Sequence, residues 1–265
     1  MQLKISIITM MKSLMITALP LLTCSCTEED YFCEALTTFL WFVIPIIVLG
    51  IICILLRVFT KIPDYIFRKI LHLIAAGMIT ILVVIPTHWW VSEIVMGICI
   101  LGLSILLIIF EHTSAYQKFF IEKYKHEVLF SYLIFSIVVT SLIAFFWGFR
   151  GDTNRFLVIV ALLSWAFGDA SASIVGHLLG KHPLSGKMIE GTKSVEGSIA
   201  CFIFAFSVSL ILLLTLIHYV WWLAILEALA IGVVVSFAEL FTKRGLDNFT
   251  CPIGAAIILF LFSLI

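Results

Sequence analysis

Residues 168–200, GDASASIVGHLLGKHPLSGKMIEGTKSVEGSIA, concentrate carboxylates, lysines, hydroxyls and glycines in a chain that is otherwise apolar. Asp169 lies well inside a hydrophobic stretch that starts at Phe156. Holding a charge at such a depth in a membrane costs about 2.5 kcal/mol or more, so the residue is a candidate for function. Ser171, Ser173 or a cation on another helix could also satisfy it structurally. Ala172, Gly176 and Gly180 follow at a spacing of four, which lets another backbone or a ligand approach one helix face closely. Lys181, His182, Lys187 and Lys193, with Gly186, Gly191 and Gly197 among them, then form a basic loop suited to gripping phosphates. A positive loop is equally expected from membrane topology. What favours a phosphate site is the end of the loop, where Thr192 or Ser194 can cap a helix whose free N–H groups attract an anion.

Gly186, Gly191, Lys193 and Ser194 approach the G-x-x-x-x-G-K-[ST] phosphate loop, but Thr192 is one residue too many and no strand precedes it. Two further clusters carry chemistry. Arg68-Lys69-Ile70-Leu71-His72 places two cations and an imidazole on about one helical turn, where Arg can hold phosphate oxygens bidentately and His can move a proton. Glu239 is followed by Gly245-Leu246-Asp247-Asn248-Phe249-Thr250-Cys251-Pro252, in which Asp247 or Asn248 can cap a final helix opened by Pro252.

Together these elements resemble the CTP-dependent lipid kinases, the family of dolichol kinase, phytol kinase and the CTP-dependent diacylglycerol kinase. The matching residues are Gly168, Asp169, Gly176, Gly180, Lys193, Ser194, Glu196, Gly197 and Ser198, then Arg68, Lys69 and His72, then Asp247, Asn248, Thr250 and Pro252. Phosphatidate cytidylyltransferases share much of the central pattern, but the Pro-Gly-His-Gly-Gly-x-x-Asp-Arg-x-Asp signature with which they end is absent. The resemblance implies transfer of the γ-phosphoryl group of CTP to the hydroxyl of a polyprenol, phytol or diacylglycerol. It implies Asp169 as the main carboxylate, holding Mg²⁺ or accepting the alcohol proton, with Glu196 or Asp247 completing the metal shell. Arg68, Lys69 and Lys193 would neutralise phosphates, His72 would join the catalytic group, and Ser194, Asn248 and the backbone at Gly176, Gly191 and Gly197 would contact the nucleotide. The rival functions are CDP-lipid synthesis and a transporter or scramblase that uses Asp169 and Glu239 as a polar pathway.

The elements that must position these residues are membrane helices. Hydrophobic residues make up 63% of the sequence and charged ones 12%, with a mean hydropathy of +1.21. The fold expected is all-α, a polytopic transmembrane helix bundle. Eight segments are predicted at 36–57, 70–86, 91–110, 128–147, 156–180, 198–217, 222–241 and 252–265, the last short for a span. Residues 1–35 form a separate N-terminal segment, a signal sequence or an extra helix with an acidic patch, and residues 36–265 form one integral membrane domain. Net charge is zero, so nothing points to nucleic acid. Twelve basic residues, among them Arg57, Arg68, Lys69, Lys181 and Lys193, fall in alternate connections, against Arg150 and Arg155 in the others. That bias predicts a multi-pass protein of a bacterial inner membrane or endoplasmic reticulum, with its nucleotide site facing the cytoplasm. Arg68, Lys69, Lys193 and Asp247 then share one membrane face and should surround one nucleotide. The seven cysteines show no disulfide or metal-ligand framework and are expected to be packing or surface residues. One difficulty remains: Asp169 lies roughly eleven residues from the loop, or about 16 Å along a helix. Either the helix breaks near Gly176 or Gly180, or a polar cavity reaches inward.

Overall fold

A computed structural model describes residues 31–60, 62–113, 116, 126–186, 189, 193–242 and 245–264. Eight helices account for nearly all of them. They are α1 (Tyr31–Phe59), α2 (Asp64–Val84), α3 (Trp89–Glu111), α4 (Glu127–Leu142), α5 (Phe156–Leu179), α6 (Val195–Leu212), α7 (Trp221–Phe241) and α8 (Asp247–Phe262). A π-helical turn, Ile143–Phe149, extends α4, and another, Leu213–Ile217, extends α6. Seven of these units are long and apolar enough to cross a bilayer. The helix α8, with 16 residues, reaches only about 24 Å at 1.5 Å per residue. Bilayer residence explains why these sequences are helices: in hydrocarbon each backbone N–H must bond within its own segment.

The helices are arranged around α5. Of its spanning window 72% is buried, against 11% in α1 and in α3. The outer helices turn Ile51, Leu101, Ile105 and Ile109 outward, as lipid contact requires. Helices α2, α6, α7 and α8 pack on α5, and these four carry the clusters singled out above.

The helix α5 runs unbroken past Gly176 and ends at Leu179, with Gly180, the second expected break, as its cap. The following loop folds back along it. Val195 N–H donates to the His182 carbonyl and Leu184 N–H to that of Lys193, at 3.0 and 2.9 Å. The next helix thereby starts below the end of α5. A Cβ on Gly197 would lie 2.9 Å from the Ala172 carbonyl oxygen and 3.4 Å from Gly176 Cα, so only glycines permit this approach. Ala172 is less than a turn from Asp169, and the loop is thus brought to the buried carboxylate.

Two expectations need correction. Pro252 does not open the last helix; α8 begins at Asp247, more than a turn earlier, just after Gly245, which adopts a left-handed φ of 74°. Pro252 sits inside the helix and, lacking an N–H, leaves the Asn248 carbonyl without its usual helical donor. Cys33 is disulfide-bonded rather than a packing residue. Disulfides depend on spatial approach and an oxidising compartment, neither of which is legible in cysteine spacing. Cys53, Cys99, Cys201 and Cys251 are free thiols.

Candidate active site

The centre of the site is an ion pair between α2 and α5. Lys69 Nζ lies 2.7 Å from Asp169 Oδ1 and 2.6 Å from Oδ2, so one ammonium spans both carboxylate oxygens. The side chains are 15% and 3% exposed. At that burial the pair is worth keeping only as a pair, since removal of either partner strands a charge in the protein interior.

A second pair lies beside it. Lys193, at the end of the folded-back loop, donates to Glu239 Oε1 and, at 3.1 Å, to the Glu239 backbone carbonyl at the end of α7. Burial alone would push the Lys193 ammonium below its ordinary value. Attraction and hydrogen bonding to Glu239, with Asp247 and Asp169 behind it, outweigh that and hold it above 10.5. Asp247 and Glu239 also act electrostatically on Lys69. Lys69, Asp169, Lys193, Glu239 and Asp247 therefore form one electrostatic cluster, although they come from four helices and the loop before α6. Asp247 accepts only from the neighbouring Asn248 N–H, at 3.2 Å, and makes no ion pair among the described residues. Among the described residues three carboxylates thus face two ammonium groups.

The other predicted residues fall around this cluster. His72 interacts electrostatically with Lys69, Asp247 and Arg68, and its Nδ1 is buried without a hydrogen-bond partner among the described residues. Asn248 is 2% exposed, and its Oδ1 is likewise unpartnered. Arg68 is turned away from Asp169, with its Nη2 2.7 Å from Glu127 Oε1. Ser194 caps α6, its Oγ accepting from Gly197 N–H at 3.1 Å, so this helix N-terminus opens beside Lys193 as expected. Gly176 and Gly197 face each other across the α5–α6 contact; the structure uses them for helix packing. Glu196 accepts from His182 Nδ1 at 2.6 Å, apart from the Lys69–Asp169 pair. Gly191 lies outside the described residues.

Sequence reasoning names Glu239 with the third cluster, and in a polar pathway only under the rival transporter reading, and does not single out Glu127. Each proves to hold a cation, Lys193 and Arg68 respectively. The available signal is an acidic residue at the edge of an apolar run, which needs a partner. Among the described residues no three His, Cys, Asp or Glu side chains converge into a metal cage. The donor set nevertheless suits Mg²⁺, which typically takes one or two carboxylates and completes its shell with phosphate oxygens and water. A surplus carboxylate beside two lysines at a helix N-terminus can receive a metal-bound polyphosphate and neutralise charge on it.

Comparison with known proteins points the same way. The chain is similar to the phytol kinase of Synechocystis sp. (strain ATCC 27184 / PCC 6803 / Kazusa), with 24% identity over 204 residues that cover 74% of this chain and 78% of that protein. No solved structure matches it. The family model described as the cytidylyltransferase family matches residues 9–243, which include every helix of the central cluster except α8. The chain belongs to the cytidylyltransferase family.

Proposed function

We propose that this protein is a CTP-dependent lipid kinase that moves the γ-phosphoryl group of CTP onto the hydroxyl of a membrane lipid alcohol. The observation that carries the reading is the convergence of Lys69, Asp169, Lys193 and Asp247 beside the N-terminus of α6. Family membership and similarity to a phytol kinase support it. In the reaction the alcohol oxygen attacks the γ-phosphorus and the bond from that phosphorus to the β–γ bridging oxygen breaks. The electron pair leaves with CDP, and the hydroxyl proton passes to the unpartnered Nδ1 of His72. Such a transfer needs alignment and charge neutralisation more than covalent chemistry. Lys69 and Lys193 supply the neutralisation. Asp169 and Asp247 would hold Mg²⁺, which offsets phosphate charge when bound.

The basic end of the bundle faces the cytoplasm in this reading, where CTP is found. Cys33, at the other end of α1, then lies on the side where a disulfide persists.

Two labelled nucleotides test the proposal. Purified protein in lipid nanodiscs, given phytol or dolichol, should move label from [γ-³²P]CTP into the lipid and release CDP. Transfer of label from [α-³²P]CTP to phosphatidate, with release of pyrophosphate, would instead make the chain a cytidylyltransferase.

A further inference from the structure

The ion-pair cluster has a second, drier side. A cavity of about 210 Å³ lies between α2 and α4, and His72 and Asn248 form part of its wall. The two helices are not packed together; they are bridged near the cluster's end of the bundle by Arg68 and Glu127, 2.7 Å apart. Down the α2 side the lining runs Asp64, Arg68, His72, Ala75, one helical face passing from charge to apolar surface. The α4 side runs Glu127, Ser131, Phe135 in the same order. The polarity gradient is that of a single-tailed amphiphile with its head toward the membrane surface.

Two buried polar atoms mark where the head stops. His72 and Asn248 both line this space, and His72 Nδ1 and Asn248 Oδ1 are buried at its wall and bond to nothing among the described residues. A buried polar atom left so destabilises the protein, and a hydrogen bond from a ligand hydroxyl relieves it. The hydroxyl can donate to His72 Nδ1, while the Asn248 carboxamide, whose two ends exchange by a half-turn, completes the contact. His72 and Asn248 also adjoin Lys69 and Asp247, so a hydroxyl held there lies at the boundary between cavity and phosphate site.

We infer that the α2–α4 cavity is the acceptor site, taking the hydroxyl end of a single-chain aliphatic alcohol that enters sideways from the bilayer. The inference rests on the kinase reading for its chemistry but on the cavity for its location. An apolar cavity of roughly 150 Å³ accepts benzene. The present one therefore encloses the hydroxyl and the first few carbons only, and the rest of the chain stays in lipid. A diacylglycerol would have to bring two ester arms, branching next to its hydroxymethyl carbon, into the same 210 Å³, and the site is assigned to a single chain on that ground.

Photolabelling of the full chain tests this. Nanodiscs of dioleoylphosphatidylcholine containing the protein are irradiated with a hexadecanol that carries an alkyl diazirine near its hydroxyl. Label is expected on peptides from α2 around Ala75 and from α4 around Ser131 and Phe135. Excess hexadecanol should compete, and dioleoylglycerol should not. Ala75→Trp and Ser131→Trp, which fill the cavity, should reduce labelling at least tenfold while CTP affinity changes less than twofold. Label concentrated on other helices, or undiminished in both variants, would overturn the assignment. Labelling here with no γ-phosphoryl transfer to any alcohol would leave the cavity standing and remove the kinase reading; transfer with label elsewhere would do the reverse.

Discussion

Lys69 and Asp169 illustrate how a residue-scale pair can be both structural and functional. Asp169→Asn keeps volume but leaves the Lys69 ammonium buried without its counter-charge, a loss of about 3–5 kcal/mol by analogy with other broken buried pairs. We expect the variant to insert in membranes, unfold at lower temperature in detergent and turn over at least ~10³-fold more slowly. Adding Lys69→Met should restore thermal stability and leave activity absent, because the hydrophobic replacement removes the stranded charge but supplies no phosphate ligand. Recovery of turnover in the double variant would make the pair purely structural. Lys193 makes a pH prediction. Its folded value is raised above the ordinary 10.5, so the stability it contributes is fully present below that pH and is lost only as pH rises through the higher folded value. The wild-type melting temperature should therefore show no loss from this contact between pH 6.5 and 8.5, while Lys193→Met, which strands the Glu239 carboxylate, should melt lower than the wild type at both. A difference between those two pH values would mean that another group governs the contact.

At the scale of elements, the close crossing of α5 and α6 sets the site. Gly197→Ala would force a methyl within 2.9 Å of the Ala172 carbonyl oxygen, and a backbone atom cannot rotate aside. We expect a cost of about 1–3 kcal/mol and a weakened affinity for CTP, because the shift that relieves the clash carries Ser194 and Lys193 with it. Isothermal titration of a stable Gly197→Ala protein showing wild-type CTP affinity would separate this crossing from the nucleotide site. Gly176 and Gly180 were legible with Ala172 as a close-approach face from their spacing of four, and the capping role of Ser194 from its place before an apolar run; Gly197, which meets that face, was read only as part of the phosphate loop. The refolding of the loop along α5 was not legible. It depends on hydrogen bonds between residues on the two arms of the loop, such as Val195 and His182, which no periodicity records. The early start of α8 escaped for a similar reason: Pro252 reads as a helix opener, whereas the helix starts just after the positive φ of Gly245.

On the scale of the whole molecule, hydropathy alone found all eight helices, since runs of apolar residues and their breaks mark each one. The starts at Tyr31, Asp64 and Asp247 fall earlier than the apolar runs at 36, 70 and 252, because polar residues open those helices, and hydropathy could not rank the helices. That α5 is enclosed while α1 and α3 face lipid follows from packing among segments of similar composition. Topology placed Lys69, Lys193 and Asp247 on one face, and the structure brings them into one cluster, while Arg68 turns to Glu127. The account's central claim is that Lys69 and Lys193, from opposite parts of the sequence, serve the phosphates of a single CTP. A double-mutant cycle on CTP binding tests it most directly, using isothermal titration of the wild type, Lys69→Met, Lys193→Met and the double variant. Groups that share a ligand couple. The account predicts that each single change weakens binding at least tenfold and that the double change costs less than the sum by roughly 0.5–3 kcal/mol. Strictly additive effects, or undiminished CTP affinity in either single variant, would contradict it.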